Sequence, residues 1–138
     1  MGEIPVTITP PSPRLVQKKS FEDRVEKFKT SFLNVIESKK EFLIFVNPQS
    51  RKFIQFVFDH EAENIFLNIP LQGLSEKEYL QCKKILGEHA VDVILGHTMA
   101  LQEEYSFNQM DLVTETVENI FLDVFHLPHG YSVNLEVF

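Results

Sequence analysis

The chain has 138 residues, of which 43% are hydrophobic and 24% charged, and its formal net charge is −7. This length suits one domain with a sizeable core. The charge is unevenly spread: residues 1–60 carry 10 basic and 7 acidic residues, whereas residues 61–138 carry 3 basic and 13 acidic residues. A surface this negative repels phosphate backbones and anionic lipid, so the sequence predicts no nucleic-acid partner and no membrane partner.

The single cysteine, Cys82, rules out an intrachain disulfide and is interpreted as a buried structural thiol. No apolar run reaches the roughly 18 residues that a membrane-spanning helix needs. The first residues also lack the basic-then-apolar pattern of a secretion signal. Together these observations predict a cytoplasmic protein.

Residues 1–19 differ in composition from the rest of the chain, because they contain four prolines and few apolar side chains. Proline disfavours both helix interiors and central strands, so this stretch predicts a flexible N-terminal tail, followed by a single domain over residues 20–138. The Pro-rich stretch 10–14 also fits a polyproline ligand with a basic flank, as an alternative to a simple extended leader.

The first helix of the domain is predicted to begin at Ser20, with Asp23 as the acidic member of a capping box. Apolar residues then recur at spacings of three and four, which indicates one buried helical face. They are Phe21, Val25, Phe28, Phe32, Val35 and Ile36.

Strand patterns separated by short turns follow this helix, and short turns imply antiparallel pairing. A second helix is predicted from the capping box of Ser75 and Glu78 to a terminating glycine, Gly87. A third helix is predicted over Asp111–Phe125, with Glu118 on a solvated acidic face beside Asp111 and Glu115. The predicted strands are Phe42–Val46, Phe53–Phe58, Ile65–Ile69, Val91–Leu95, Met99–Phe107 and Tyr131–Val137.

These elements predict an α+β fold, with a mainly antiparallel sheet of five to six strands and three helices. The predicted order along the chain is α-β-β-β-α-β-β-α-β.

No catalytic or metal-binding signature is present: the sequence has no Gly-rich phosphate loop, no nucleophile elbow and no Cys-x-x-Cys. Glu103 and Glu104 are adjacent in a predicted strand, where they point to opposite faces and cannot share a proton. His126 and His129 are separated by a proline at a helix end, and His60 lies in a hairpin loop. We therefore predict no catalytic residue, no cofactor and no metal ligand.

The strands 42–46 and 53–58 are apolar on both sides, so both faces of that part of the sheet need cover. Two interpretations stay open at this point. The helices leave an apolar patch that marks a protein interface, or they divide between the faces and cover everything. On the first interpretation the candidate partner-binding residues are Leu43, Phe45, Ile54, Phe56 and Phe58.

Three apolar stretches and a helix start carry a likeness to a known family: residues 52–58, 64–70 and 121–125, with Leu74-Ser75-Glu76. In this order of elements the chain resembles the type III secretion chaperone fold and its YbjN-like and TY-Chap relatives among bacterial proteins. The final predicted strand departs from the minimal secretion-chaperone order, which favours the YbjN-like relatives.

The resemblance implies a non-enzymatic, chaperone-like homodimer that binds another polypeptide through apolar sheet and helix surface. Two other functions remain open from the residues themselves: a small-ligand-binding or regulatory domain, and an enzyme with a scattered site.

Overall fold

The computed structural model describes the backbone of residues 13–138 and the side chains of residues 21–138. Six strands in this part of the chain form one antiparallel sheet, in the order β4-β5-β3-β2-β1-β6. The predicted α+β class and order of elements are confirmed. The elements are α1 (Pro13–Ser38), β1 (Phe42–Val46), β2 (Phe53–Asp59), β3 (Asn64–Pro70), α2 (Glu76–Leu86), β4 (Val91–Leu95), β5 (Thr98–Ser106), a 3-10 turn (Phe107–Gln109), α3 (Met110–Asn119), a π-helical turn (Ile120–Val124) and β6 (Asn134–Val137).

Helix α1 begins at Pro13, so the predicted start at Ser20 and its capping box are wrong. Proline is well suited to the first helical position, since its missing N–H would have no partner there and its φ is already helical. Ser20 therefore lies inside the helix rather than in front of it. The predicted tail loses residues 13–19 to α1, and its first twelve residues lie outside the described part of the chain.

Helix α2 has the predicted capping box, with both of its reciprocal hydrogen bonds. The backbone N–H of Glu78 donates to Ser75 Oγ (3.1 Å), and the backbone N–H of Ser75 donates to Glu78 Oε1 (2.9 Å). This last hydrogen bond from the Ser75 backbone lowers the pKa of the Glu78 carboxyl. At the other end Gly87 adopts a positive φ of 99° and its N–H donates to the Lys83 carbonyl, as expected of a terminating glycine.

Alternation of burial along the central strands divides the sheet into two unlike faces. On β1 and β2 buried residues alternate with residues that are partly exposed, and β3 follows the same pattern except at Asn68, which is also buried. Cα partners in antiparallel strands point to the same face, and the register pairs Leu43 with Phe56 and Phe56 with Leu67. One face is therefore buried across all three strands; we call it the helix face.

All three helices of the described chain pack on this helix face. The Phe32 ring of α1 lies 4.9 Å from the Phe56 ring, and the Tyr79 hydroxyl of α2 donates to the Asp92 carboxylate on β4. Helix α3 and the π-helical turn contribute fully buried side chains to the same core cluster. The buried side chains of α3 and this turn are Val113, Val117, Ile120, Phe121 and Val124.

The sequence predicted one regular helix over Asp111–Phe125, whereas the structure has a helix followed by a π-helical turn. The N–H of Phe125 donates to the carbonyl of Ile120 (3.0 Å), five residues earlier, and the N–H of Leu127 donates to that of Phe121. The last strand is also shorter than predicted and begins at Asn134. Tyr131 and Val133, which precede it, are buried in the core rather than paired in the sheet.

A search of the described helices found none that combines the length and the apolar character needed to cross a membrane.

Candidate binding surface on the sheet

The face of the sheet opposite the helices, which we call the open face, is rich in apolar side chains. Phe42 and Phe53 are each 37% exposed, and their apolar neighbours on this face are partly exposed. Val57, at the centre of the open face, has Phe42 and Phe66 as its Cα partners on either side. Within residues 13–138, no helix packs on it. The apolar side chains at its centre are Phe42, Ile44, Val46, Phe53, Val57 and Phe66.

The five predicted partner-binding residues lie on the helix face, not on the open face. Each is at most 4% exposed, so none is accessible to a partner in this fold. Their place on the surface is taken by the alternate residues of the same strands. Successive side chains of a strand point to opposite faces, so the five predicted residues are buried while their neighbours along the strand are partly exposed. The choice of these five residues is therefore corrected. The five are Leu43, Phe45, Ile54, Phe56 and Phe58.

Charged side chains lie at the margins of the open face. Asp59 and Glu104 face it toward the end where β2 finishes, and Glu136 faces it from the edge strand β6. At the opposite end the β1–β2 turn carries two cations, Arg51 and Lys52. The open face thus has an acidic end and a basic end, and the apolar side chains between them are interrupted by Gln55, Asn68 and Gln102.

The β1–β2 turn that carries these cations is held by a dense set of hydrogen bonds. The Asn47 backbone donates to the Lys52 carbonyl (2.9 Å), and the Arg51 backbone donates to the Asn47 carbonyl (2.8 Å). The Asn47 side chain, 2% exposed, accepts from the Ser50 N–H and donates to the Ser132 carbonyl, each at 2.8 Å. A cavity of about 480 Å³ opens between this turn and residues 127–132, but the Asn47 amide that lines it is already hydrogen-bonded to backbone.

A buried ionic cluster that was not predicted from the sequence joins α1, α3 and the segment before β6. Arg24 Nε and Nη2 donate to the Glu118 carboxylate at 3.0 and 2.5 Å, and the Tyr131 hydroxyl donates to it at 2.5 Å. The Arg24 guanidinium also lies 4.1 Å from the centre of the Tyr131 ring. Glu118 is fully buried, so its predicted place on a solvated acidic face is wrong.

The pKa values within this cluster follow from burial and from its charges. Burial raises the pKa of Tyr131 well above its ordinary value, and the hydrogen bond to Glu118 acts in the same direction. Burial opposes the charge on Arg24, but the hydrogen bond and the charge of Glu118 outweigh it and raise the pKa of Arg24. The cluster is therefore a cation, a carboxylate and a neutral phenol that hold three segments together.

Burial also affects two ionisable groups outside this cluster, the Cys82 thiol and the Glu103 carboxyl. Burial raises the pKa of the Cys82 thiol to about 12, which keeps it protonated at neutral pH, and the interpretation of Cys82 as a buried structural thiol is confirmed. Burial also raises the pKa of Glu103 on the helix face, and the nearby His89 opposes that shift. Glu104 pairs with Phe66 on the open face, so the predicted divergence of Glu103 and Glu104 is confirmed.

The histidines considered as metal ligands are dispersed. The His60 ring packs against Phe58 and Phe107, and its Nε2 lies 2.5 Å from the Lys40 carbonyl oxygen. His126, at a positive φ of 54°, and His129 are both exposed beyond the π-helical turn. Among the side chains that the structure describes, no three His, Cys, Asp or Glu residues cluster so as to hold a metal ion.

Comparison of the chain with protein-family models, with curated proteins and with solved structures gave no match.

Proposed function

We propose that the chain is a non-enzymatic protein-binding module, of a chaperone-like kind, that holds another polypeptide against the open face of its sheet. The observation that carries the proposal is the one-sided placement of the helices, which leaves apolar residues such as Phe42 and Phe53 partly exposed. Apolar side chains that lie together on an exposed surface commonly mark an interaction site. The acidic and basic ends of the face add a means of orienting the bound polypeptide.

Replacement of Val57 by lysine tests this proposal, since it places a charge at the centre of the open face. We expect a polypeptide that co-purifies reproducibly with the wild-type chain to be absent from Val57→Lys, because desolvating an unpaired ammonium opposes apolar contact. The polypeptides retained by each tagged variant are identified by mass spectrometry.

The matched control is Asn34→Lys, which adds the same charge on the exposed side of α1 and should retain the polypeptide. Circular dichroism melting of both variants verifies that they are folded. Retention of the same polypeptide by a folded Val57→Lys variant would show that the open face is not the binding site.

The proposal includes self-association as a symmetric homodimer, and the edge strand β4 favours it. Ile94 and Val91 on this strand are 73% and 53% exposed, and an edge strand with apolar side chains is a template for pairing with another chain. Two copies of β4 paired antiparallel about Val93 place Asp92 of each copy opposite Ile94 of the other. Like charges therefore do not meet in this register.

We expect sedimentation at micromolar concentration to give a dimer that persists in high salt, because apolar contact rather than charge holds it. Ile94→Asp should give a monomer, because Asp92 of each copy would then lie opposite a second carboxylate at position 94 of the other copy. Ile94→Lys should remain dimeric, because the lysine would lie opposite Asp92. Leu112→Asp, at an exposed position of α3, is the control and should also remain dimeric. A wild-type monomer at every concentration and salt would refute self-association.

A further inference from the structure

Two adjoining cavities form one groove at the basic end of the open face. Phe53, Pro70 and Gln72 line both of them, at the point where β2 begins and β3 ends. The first cavity, of about 260 Å³, lies over the sheet itself; the second, of about 180 Å³, lies beyond the ends of the strands. We call the first the apolar cavity and the second the cationic cavity.

The apolar cavity is lined by both apolar and polar side chains, and one of the polar side chains is an amide donor. Leu95 and Ala100 supply apolar lining beside the shared Phe53 and Pro70. Asn68, which is 1% exposed, also lines the cavity; its Oδ1 accepts from Gln102 Nε2 at 2.8 Å. Its Nδ2 has only one acceptor within the described chain, the Phe66 carbonyl at 3.4 Å, which is long for a hydrogen bond. A side-chain amide has two N–H donors, so Asn68 has capacity for a ligand oxygen.

The cationic cavity is lined by Ser50, Arg51 and Lys52, and on its other side by Leu74 and Phe125. The Lys52 ammonium lies 5.5 Å from the centre of the Phe125 ring. Arg51 adopts a positive φ of 63°, a conformation that side-chain-bearing residues hold only where surrounding contacts impose it. The hydrogen bonds of the β1–β2 turn impose it here and fix the direction in which the Arg51 side chain leaves the backbone. Arg51 forms no ion pair with any side chain of residues 21–138, although the whole chain carries a charge of −7.

The charges around the groove favour a polypeptide over an anionic metabolite or cofactor. The acidic residues Asp59 and Glu104 at the other end of the open face repel a uniformly anionic ligand. A segment with an apolar residue and a nearby carboxylate complements the groove at both of its cavities.

We propose that this groove is the anchor site of the polypeptide-binding face. It takes a large apolar side chain of an extended segment in the apolar cavity, with an oxygen of that segment accepting from Asn68. An acidic side chain close by in the same segment pairs with Arg51 and Lys52. This inference rests on the proposed function and adds to it the chemistry of the bound segment.

Three synthetic peptides test the selectivity of the groove: Ac-GSLSEE-NH2, its lysine counterpart Ac-GSLSKK-NH2 and its serine counterpart Ac-GSSSEE-NH2. Each is titrated into the 15N-labelled full chain, and amide shifts are followed by NMR. We expect the first peptide to shift signals of residues 51–53, 68–72 and 95–100, including the Asn68 side-chain NH2. Its dissociation constant should be at least about tenfold lower than that of either counterpart.

Arg51→Glu should abolish the preference for the acidic peptide. Lys39→Glu is the matched control, because Lys39 is also exposed and also has a positive φ (56°). The two substitutions change the net charge by the same amount. It should preserve the preference.

The unfavourable outcomes are distinct from one another. Equal binding of the acidic and lysine peptides on the open face overturns the charge selectivity and leaves the proposed function standing. Equal shifts of residues 51–53 by inorganic phosphate alone show a simple anion site and overturn the assignment to a polypeptide. If none of the three peptides shifts the amide signals of the groove residues, the assignment to a polypeptide is also overturned. The proposed function is tested separately by the Val57→Lys capture experiment.

Discussion

Replacing Arg24 by methionine is expected to lower the free energy of unfolding by about 3–5 kcal/mol, because it leaves the Glu118 carboxylate buried without its cation. Glu118 is fully buried and Arg24 is 7% exposed, so water cannot replace the lost partner without opening the interface between α1 and α3. The Tyr131 hydroxyl still donates to the carboxylate, but one neutral donor does not neutralise a buried charge. Equilibrium denaturation in urea measures the change, and an unaltered slope confirms that stability alone is affected.

The triple variant Arg24→Met, Glu118→Leu, Tyr131→Phe separates the cost of an unpaired charge from the value of the cluster itself. Replacing all members of a buried ion pair by apolar residues is often neutral or stabilising, so most of the lost stability should return. Lys29→Met breaks the surface ion pair with Asp111 and is the control, with a small effect expected because solvent screens that pair. Equal losses from Arg24→Met and Lys29→Met would contradict the interpretation.

Local signals in the sequence predicted the elements well where neighbouring residues decide the structure. The capping box of Ser75 and Glu78 satisfies its own helix end, and the two residues are three positions apart. The same kind of pattern misled at Ser20 and Asp23, because a capping box has meaning only where a helix begins. Pro13, counted as a residue of the tail, supplied the competing signal, since proline at the first helical position is favourable.

The buried cluster could not be predicted from local patterns, because Arg24 and Glu118 lie 94 residues apart. A signal for it was nevertheless present in the sequence. Arg24 precedes Phe28 by four positions, and Glu118 follows Val117 and precedes Phe121 by three, so both charges lie close to the apolar stripes of their helices. A charged side chain on a buried helical face needs a partner of opposite charge. Arg24 and Glu118 can therefore be paired with each other.

An uncovered apolar face was predicted as one of two possibilities, but the five residues named for it lie on the covered side of the strands. Strands that are apolar on both sides, such as β1 and β2, carry no alternation to show which set of residues the helices cover. The choice between Phe45 and Ile44, or between Phe56 and Val57, depends on where α1 packs. That contact is long-range, made through Phe28 and Phe32.

The last expected result concerns this packing of α1 on the helix face. Phe32→Ala should lower the free energy of unfolding by about 3–5 kcal/mol, because Phe32 is fully buried and its removal leaves a cavity under the helix. Its ring lies 4.9 Å from Phe56 and 5.6 Å from Phe45, and aromatic pairs add about 0.5–1.5 kcal/mol beyond buried area. The adjacent Leu33, 47% exposed on the same helix, is the matched control: Leu33→Ala should cost only about 1 kcal/mol or less. Urea denaturation compares the two, and equal costs would mean that α1 does not present Phe32 to the sheet, in which case the open face would not be the uncovered one.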